Sequence, residues 1–271
     1  MPFSLRPFSR RSVLLAAAIA AAPLASLSTP AHADALDDIM KAKVIRIAVP
    51  QDFPPFGSVG TDLKPQGYDI DMAQLIADKM KVKLELVPVT SANRLPYLQT
   101  KKVDLVISSL GKNPEREKAI DFTAAYAPFF SGVFAPAKTA VKSAADLKGK
   151  TIGVTRGALE DLELTKIAPE GADIKRFEDN NTTMTAFLSG QTELIATGNV
   201  VAAAIIARNP PNKPETKFII KESPCFIGLN KDEPKLLAEV NKIIAAAKTD
   251  GSLSKISQKW LGQPLTGDLP S

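Results

Sequence analysis

The sequence predicts an α/β chain made of two successive units, each a mostly parallel sheet flanked by helices. Three observations lead there. Apolar runs of strand length alternate with apolar residues at helical spacing along nearly the whole chain. That rhythm runs twice, with a break near Phe130. In both runs polar or glycine-containing loops follow the strands, at the end of an open sheet where ligands bind.

In the first run Val44–Val49 reads as a strand. The loop Pro50-Gln51-Asp52-Phe53-Pro54-Pro55-Phe56 follows it, stiffened by its prolines. Asp69 is a candidate N-cap for a helix whose Met72, Ala73, Leu75, Ile76 and Met80 share a face. Val82–Val87 is the next strand, and Ala92–Lys101 a helix interrupted near its start by Pro96. Val103–Ile107 is a buried strand, apolar except for Asp104. A loop is expected next, with hydroxyls at Ser108 and Ser109 and a glycine, Gly111, that allows close approach to the backbone. Asn113 and Pro114 suit the N-cap and first residue of a helical turn carrying Arg116. A guanidinium facing hydroxyls and free N–H groups suits a planar carboxylate. Flanked by Glu115 and Glu117, Arg116 also fits a surface position.

The second run starts with a strand at Val133–Ala135 and a short helix capped by Ser143 and ended by Gly149. Thr151–Val154 is a strand, and Gly157 permits a tight turn into the helix Ala158–Ile167. Free N–H groups at Ala158 and Leu159 would then form an anion site at a helix N-terminus. Ile174–Phe177 is a strand, and Asn180 or Asn181 caps the helix ending at Leu188. Leu194–Ala196 is a strand, Val200–Arg208 a helix ended by Pro210-Pro211, and Lys217–Ile220 leads back out. The last section, Cys225–Leu229, Lys235–Lys248 and Leu253–Leu261, has strand–helix–helix character, and the tail 263–271 is expected to fray.

Composition narrows the chemistry. Residues 1–33 combine Arg6, Arg10 and Arg11, an Ala-rich apolar core and Ala31-His32-Ala33, the layout of a cleaved export signal. Ser9-Arg10-Arg11-Ser12-Val13-Leu14-Leu15 also resembles a twin-arginine signal. The formal net charge is +5, and those three arginines supply +3 of it, leaving +2 after cleavage. The remaining lysines are scattered among Asp and Glu, so no nucleic-acid stripe forms. His32, the one histidine, leaves with the signal, and Cys225 is the one thiol. Ser-His-Asp and Cys-His catalysis are therefore excluded, as are His- or Cys-built metal sites, and no cofactor is expected. Cys225, in a strand-like run, reads as a packed, inert thiol.

Several pieces together carry a resemblance: Gly67-Tyr68-Asp69-Ile70-Asp71-Met72-Ala73, Arg94-Leu95-Pro96 with Asp104 ten residues on, Ser108-Ser109-Leu110-Gly111, Pro114-Glu115-Arg116, Asp121-Phe122-Thr123, Asp250-Gly251 and Lys259-Trp260. In this order and spacing the chain resembles the extracellular solute-binding proteins of polar amino-acid ABC transporters. The resemblance implies a bilobed type II periplasmic binding fold with a two-strand hinge. It implies a first lobe from residues 34–127 and 224–262, a second from 128–223, and crossings near Tyr126–Ser131 and Glu222–Phe226.

The resemblance also implies the partners: a small-molecule ligand, an amino acid or related carboxylate, and an ABC permease in the inner membrane. A periplasmic monomer without enzymatic activity is expected. It places Phe53 over the ligand, and Phe56 in the core. The expected ligand contacts are Asp52, Phe53, Ser108, Ser109, Gly111, Arg116, Ala158, Leu159, Glu160 and Asn199. In one respect the chain departs from the family. Similar proteins hold the ligand's amine with an Asp where this chain has Gly198, within Thr197-Gly198-Asn199. Glu160, Asp161 or Asp52 can substitute, or the ligand lacks an amine. Arg156 suits either a second ligand carboxylate or the surface. The competing reading is a periplasmic dehydratase of a cyclic carboxylate, with Glu160 as acid. A sensor domain would need a transmembrane or kinase segment, and neither is present in the sequence.

Overall fold

The structure, a computed structural model, describes residues 1, 34–211, 213–265 and 269. The export signal expected over 1–33 and most of the tail expected over 263–271 lie outside the described residues.

Helix α1 (Ala35–Ala42) precedes β1 (Val44–Pro50), and the short strands β2 (Asp52–Phe53), β3 (Gly57–Val59) and β4 (Pro65–Gln66) follow. Then come α2 (Tyr68–Met80), β5 (Lys83–Val89), α3 (Arg94–Gln99), β6 (Leu105–Leu110), α4 (Pro114–Ala119) and β7 (Asp121–Ala127). The middle of the chain forms β8 (Phe130–Pro136), β9 (Thr151–Thr155), α5 (Leu159–Ile167), β10 (Asp173–Phe177), α6 (Asn180–Leu188), β11 (Leu194–Gly198), α7 (Asn199–Ala207) and β12 (Pro214–Glu222). It ends with β13 (Cys225–Leu229), α8 (Pro234–Thr249) and α9 (Ser252–Leu261).

Two five-stranded sheets form among the described residues, in the orders β5-β1-β6-β13-β7 and β10-β9-β11-β8-β12. In the first, β5, β1 and β6 are parallel and β13 runs against its neighbours. In the second, β10, β9 and β11 are parallel and β8 runs against its neighbours. The reversed strand in each sheet is the one entered by crossing from the other sheet. The chain crosses twice, between Ala127 and Phe130 and between Glu222 and Cys225, and Ser223 donates its N–H to the Phe129 carbonyl, joining the two crossings.

Aromatic side chains fill the space beside the crossings. Phe53, Phe56, Tyr68, Tyr126 and Phe129 pack in one cluster, with ring centroids 5.4–6.2 Å apart. Burying a side chain such as Phe56 stabilises by about 1.5–3 kcal/mol. Several residues of the resemblance hold elements together here. Asp104 accepts from the Arg46 backbone N–H at 2.8 Å and from its Nη2 at 2.6 Å, tying β1 to the entry of β6. Asp71 accepts from Lys259 Nζ and Trp260 Nε1, both at 2.7 Å, tying α2 to α9.

Local structure departs from expectation at three places. The N-cap of α2 is Gly67 and not Asp69, and the N-cap of α6 is Asp179 rather than either asparagine. β6 runs through Ser108 and Ser109, so these hydroxyls stand on a strand end instead of a loop. The small sheet β2-β3-β4 has strands of two or three residues, too short to show a period in the sequence.

Candidate functional site

Segments that follow strand ends in the first sheet meet segments that follow strand ends in the second. After β6, Gly111 lies against Leu159; a Cβ on Gly111 would sit 2.5 Å from the Leu159 side chain. After β9, Gly157 has a positive φ of 72° and faces Ala92, whose Cα would be 3.0 Å from an added Cβ. Both glycines thus serve contact between the two halves. Asp52, the first residue of β2, accepts from the Asn180 backbone N–H at 2.7 Å and from its Nδ2 at 3.1 Å. Asn180 is held in turn by Thr155 Oγ1, which donates to its Oδ1 at 2.8 Å.

Arg116 is 4% exposed. Asn113 caps its turn by accepting its backbone N–H at 2.9 Å. Its Nη1 donates to the Gly111 carbonyl at 2.8 Å and its Nη2 to the Gly157 carbonyl at 2.9 Å, one from each half. Burial, and next the charge of Arg94, lower it to about 10. Arg94, at the start of α3, is 5% exposed. Its Nη2 donates to Ser91 Oγ, while Nε is buried with no partner among the described residues. Burial pulls its pKa down, against the negative charges of Glu160, Asp52 and Asp69. The hydroxyls of Ser108 and Ser109 are likewise buried and unpartnered.

Glu160 is 3% exposed, and its Oε2 accepts from Ser131 Oγ at 3.3 Å. Burial raises its pKa, against its own backbone N–H, the charge of Arg94, the Ser131 hydroxyl and the charge of Arg116. Ser131 on β8 pairs with Gly198 on β11. Glu160 therefore brings its carboxylate beside the position where relatives were expected to carry an Asp. A side chain at Gly198 has no room, because a Cβ there would lie 2.2 Å from the Phe129 ring.

Behind this set sits Asp69. It accepts from Tyr126 Oη at 2.5 Å and from the Ser109 N–H at 2.7 Å. Burial raises it to about 7, against those two bonds and the charge of Arg94.

Several expected contacts are otherwise occupied. The Ala158 N–H is not free; it donates to the Thr155 carbonyl at 3.1 Å, because Ala158 closes a turn before it caps α5. The neighbouring N–H groups meet the chain's own carboxylates: Asp161 accepts the Gly157 N–H at 3.0 Å, and Glu160 takes its own N–H. Asn199 Oδ1 accepts from the Phe130 N–H at 3.2 Å, at the crossing. Phe53 packs on Phe56 and Phe129. Arg156 pairs with Glu178 at the surface, at 2.8 Å. Arg94 was absent from the sequence-derived contacts. Its one sequence signal was the Arg94-Leu95-Pro96 motif, and the carboxylate whose charge offsets its burial most, Glu160, follows 66 positions later in the chain.

Two helix-flanked sheets joined by two crossings, with buried charges where their strand ends meet, define a bilobed solute-binding fold. Comparison with known proteins gives the same class. The family model of the bacterial extracellular solute-binding proteins, family 3, matches residues 45–263. The chain belongs to that family. The L-cystine-binding protein TcyJ of Escherichia coli K12 is 28% identical over 254 residues, covering 92% of this chain and 94% of that one. The crystal structure of the solute receptor for L-cysteine of Neisseria gonorrhoeae is 32% identical, with a TM-score of 0.77, over 83% of this chain and 93% of that one. The ancestral amino acid-binding protein AncCDT-1, a precursor of cyclohexadienyl dehydratase, is 30% identical, with a TM-score of 0.76, over 83% of this chain and 99% of that one. This protein is thus a solute-binding component of the kind that serves amino-acid ABC importers.

Proposed function

We propose that the protein holds an amino acid, or a closely related small carboxylate, where the two halves meet, and hands it to an ABC permease. The observation that carries this is a set of buried groups with unused bonding capacity. Among the described residues Arg94 Nε, Ser108 Oγ and Ser109 Oγ have no partner; Arg94 lies within electrostatic reach of Arg116 and Glu160, and the two serines stand near the end of the strand that leads to Arg116. A buried polar group left unpaired costs about 1–3 kcal/mol, and a polar solute removes that cost. Arg116 offers the ligand carboxylate the second N–H on each terminal nitrogen, since each is engaged with a single carbonyl. Glu160 takes the ammonium, replacing the Asp for which Gly198 leaves no room. The ligands for which the two relatives are named, cystine and cysteine, are amino acids, which supports this reading.

The proposal includes lobes formed by residues 34–127 with 224–262 and by 128–223, a monomer in the periplasm, export by the twin-arginine route, and no enzymatic turnover. A thermal-shift screen of amino acids, keto acids and dicarboxylates tests it. At a hundredfold excess over Kd a true ligand adds about 2.7 kcal/mol to stability. A screen with no stabilising amino acid or carboxylate contradicts the reading.

One observation favours a second reading, turnover of a cyclic carboxylate. Glu160 is a buried acid with a raised pKa, as a general acid needs, and a dehydratase precursor is among the similar structures. Incubation with prephenate decides between the two: product release supports the enzyme, and binding without turnover supports the receptor.

A further inference from the structure

We infer that Asp69 is a positioning residue for solute binding: from the start of α2 it holds the end of β6 in the bent form that leads to Gly111 and Arg116, and ties that strand to the first crossing. This rests on the reading above, in which the solute sits where the two halves meet and Arg116 takes its carboxylate.

The pairing of β6 creates the need for such a residue. Leu110 pairs with Phe226 and Val106 with Gly228, so three residues of β6 lie opposite one of β13. A bulge of this kind takes backbone groups out of the ladder and bends the strand. Ser109 stands in it with a positive φ of 42°, a left-handed form that a residue with a Cβ keeps only when its surroundings enforce it. Ser109 is buried, so its N–H needs a partner within the protein. Asp69 Oδ2 accepts it at 2.7 Å. Two residues on, Gly111 lies against Leu159 of the other half, and its carbonyl accepts from Arg116 Nη1 at 2.8 Å. The direction the strand takes at Ser109 thus decides where that carbonyl, and the guanidinium it holds, come to rest.

The same carboxylate reaches the first crossing. Asp69 Oδ1 accepts from Tyr126 Oη at 2.5 Å, and Tyr68 Oη donates to the Tyr126 carbonyl at 2.9 Å. Tyr126 is the residue before the last of β7. Through its first two residues, α2 therefore grips both the strand that leads to Arg116 and the strand that enters the crossing. Besides Tyr126, the titratable or charged groups facing Asp69 are Arg94, Tyr68 and Cys225. A hydrogen bond to a carboxylate is roughly twice as strong as one to a neutral acceptor, so an amide at position 69 keeps the shape of this contact and weakens it.

The experiment is a double-substitution cycle read by calorimetry on wild type, Asp69→Asn, Ser109→Gly and the two combined. Each is titrated with whichever of L-cystine, L-cysteine, L-glutamine and L-glutamate binds wild type most tightly. Asp69→Asn alone should weaken binding about five- to thirtyfold. Glycine takes a left-handed φ without support, so in the Ser109→Gly background the same substitution should weaken binding by less than about threefold. The hydroxyl lost with Ser109 is absent from both arms of that second comparison and cancels. An equal loss in both backgrounds, the mark of a general structural role, overturns the inference. So does an Asp69→Asn variant that binds as tightly as wild type. If Asp69→Asn shows no cooperative melt, NMR of the wild-type chain decides. The Ser109 and Gly111 amide resonances should then shift together with pH as Asp69 titrates at about 7, and a Gly111 amide that stays in place overturns the inference. Wild type that binds none of the four contradicts the solute reading instead, and the same amide shifts then test Asp69 as the support of this strand end.

Discussion

Asp52 gives the sharpest test of how the two halves are joined. Its Oδ2 accepts both the backbone N–H and the Nδ2 of Asn180, 128 residues away, at the N-terminus of α6. Each bond is charge-assisted, worth about 1.5–3 kcal/mol, and the two share one oxygen, so their loss is less than additive. Asp52→Ala should therefore remove about 2–4 kcal/mol from the joined arrangement, or roughly thirty- to a thousandfold in Kd. Asp52→Asn keeps the shape and loses the charge, so it should cost about half as much. Titration calorimetry on the solutes found by the thermal-shift screen reads the effect. A latch that does not touch the solute weakens every solute by the same factor. Affinity within threefold of wild type would show that the contact contributes nothing to binding. Losses differing tenfold between solutes would make Asp52 a ligand contact and refute the latch.

Arg116→Ala should weaken solute binding by about 2–5 kcal/mol, because truncation strips the partner of a desolvated carboxylate; Arg116→Lys should also weaken it, and calorimetry on both variants checks this. Asp69 makes stability pH-dependent. Its folded pKa of about 7 lies above the ordinary carboxylate value, so the native chain binds this proton more tightly than the unfolded one. The stability it contributes is complete below the unfolded pKa and is lost as pH rises towards 7. Melting of wild type and Asp69→Asn at pH 5 and pH 8 checks it: wild type should lose more stability than the variant on going to pH 8, and equal losses would remove Asp69 as the source.

The fold was largely legible in the sequence because its signals are local. Alternating strands and helices repeat with little interruption, and Asn113, Pro114 and Ser143 stand where helix starts need them. Cap assignments failed where a better candidate lay one or two residues away, as at Gly67 and Asp179. The site was less legible because its partnerships are long-range. Nothing near Asp52 announces Asn180, and nothing near Gly198 announces the Phe129 ring that fills the space above it. The Ala158 N–H, expected to be free, closes a turn on the Thr155 carbonyl, and the Gly157 N–H goes to Asp161; spacing alone does not announce either bond. Arg94 matters through groups on four other segments, and no local pattern encodes such a meeting.

How this chain binds an amino acid with Gly198 in place of a carboxylate is the central question, and one titration addresses it most directly. Wild type and Glu160→Gln are each titrated with the best-binding amino acid and with the same acid lacking its amine. If Glu160 holds the ammonium, wild type prefers the amino acid, and Glu160→Gln weakens the amino acid far more than the deaminated acid, collapsing the preference. If Glu160 serves only the N-terminus of α5, the substitution lowers stability by about 0.3–1 kcal/mol and leaves the ratio unchanged. Wild type binding both solutes equally well would contradict the amine site outright and make the ligand an organic acid.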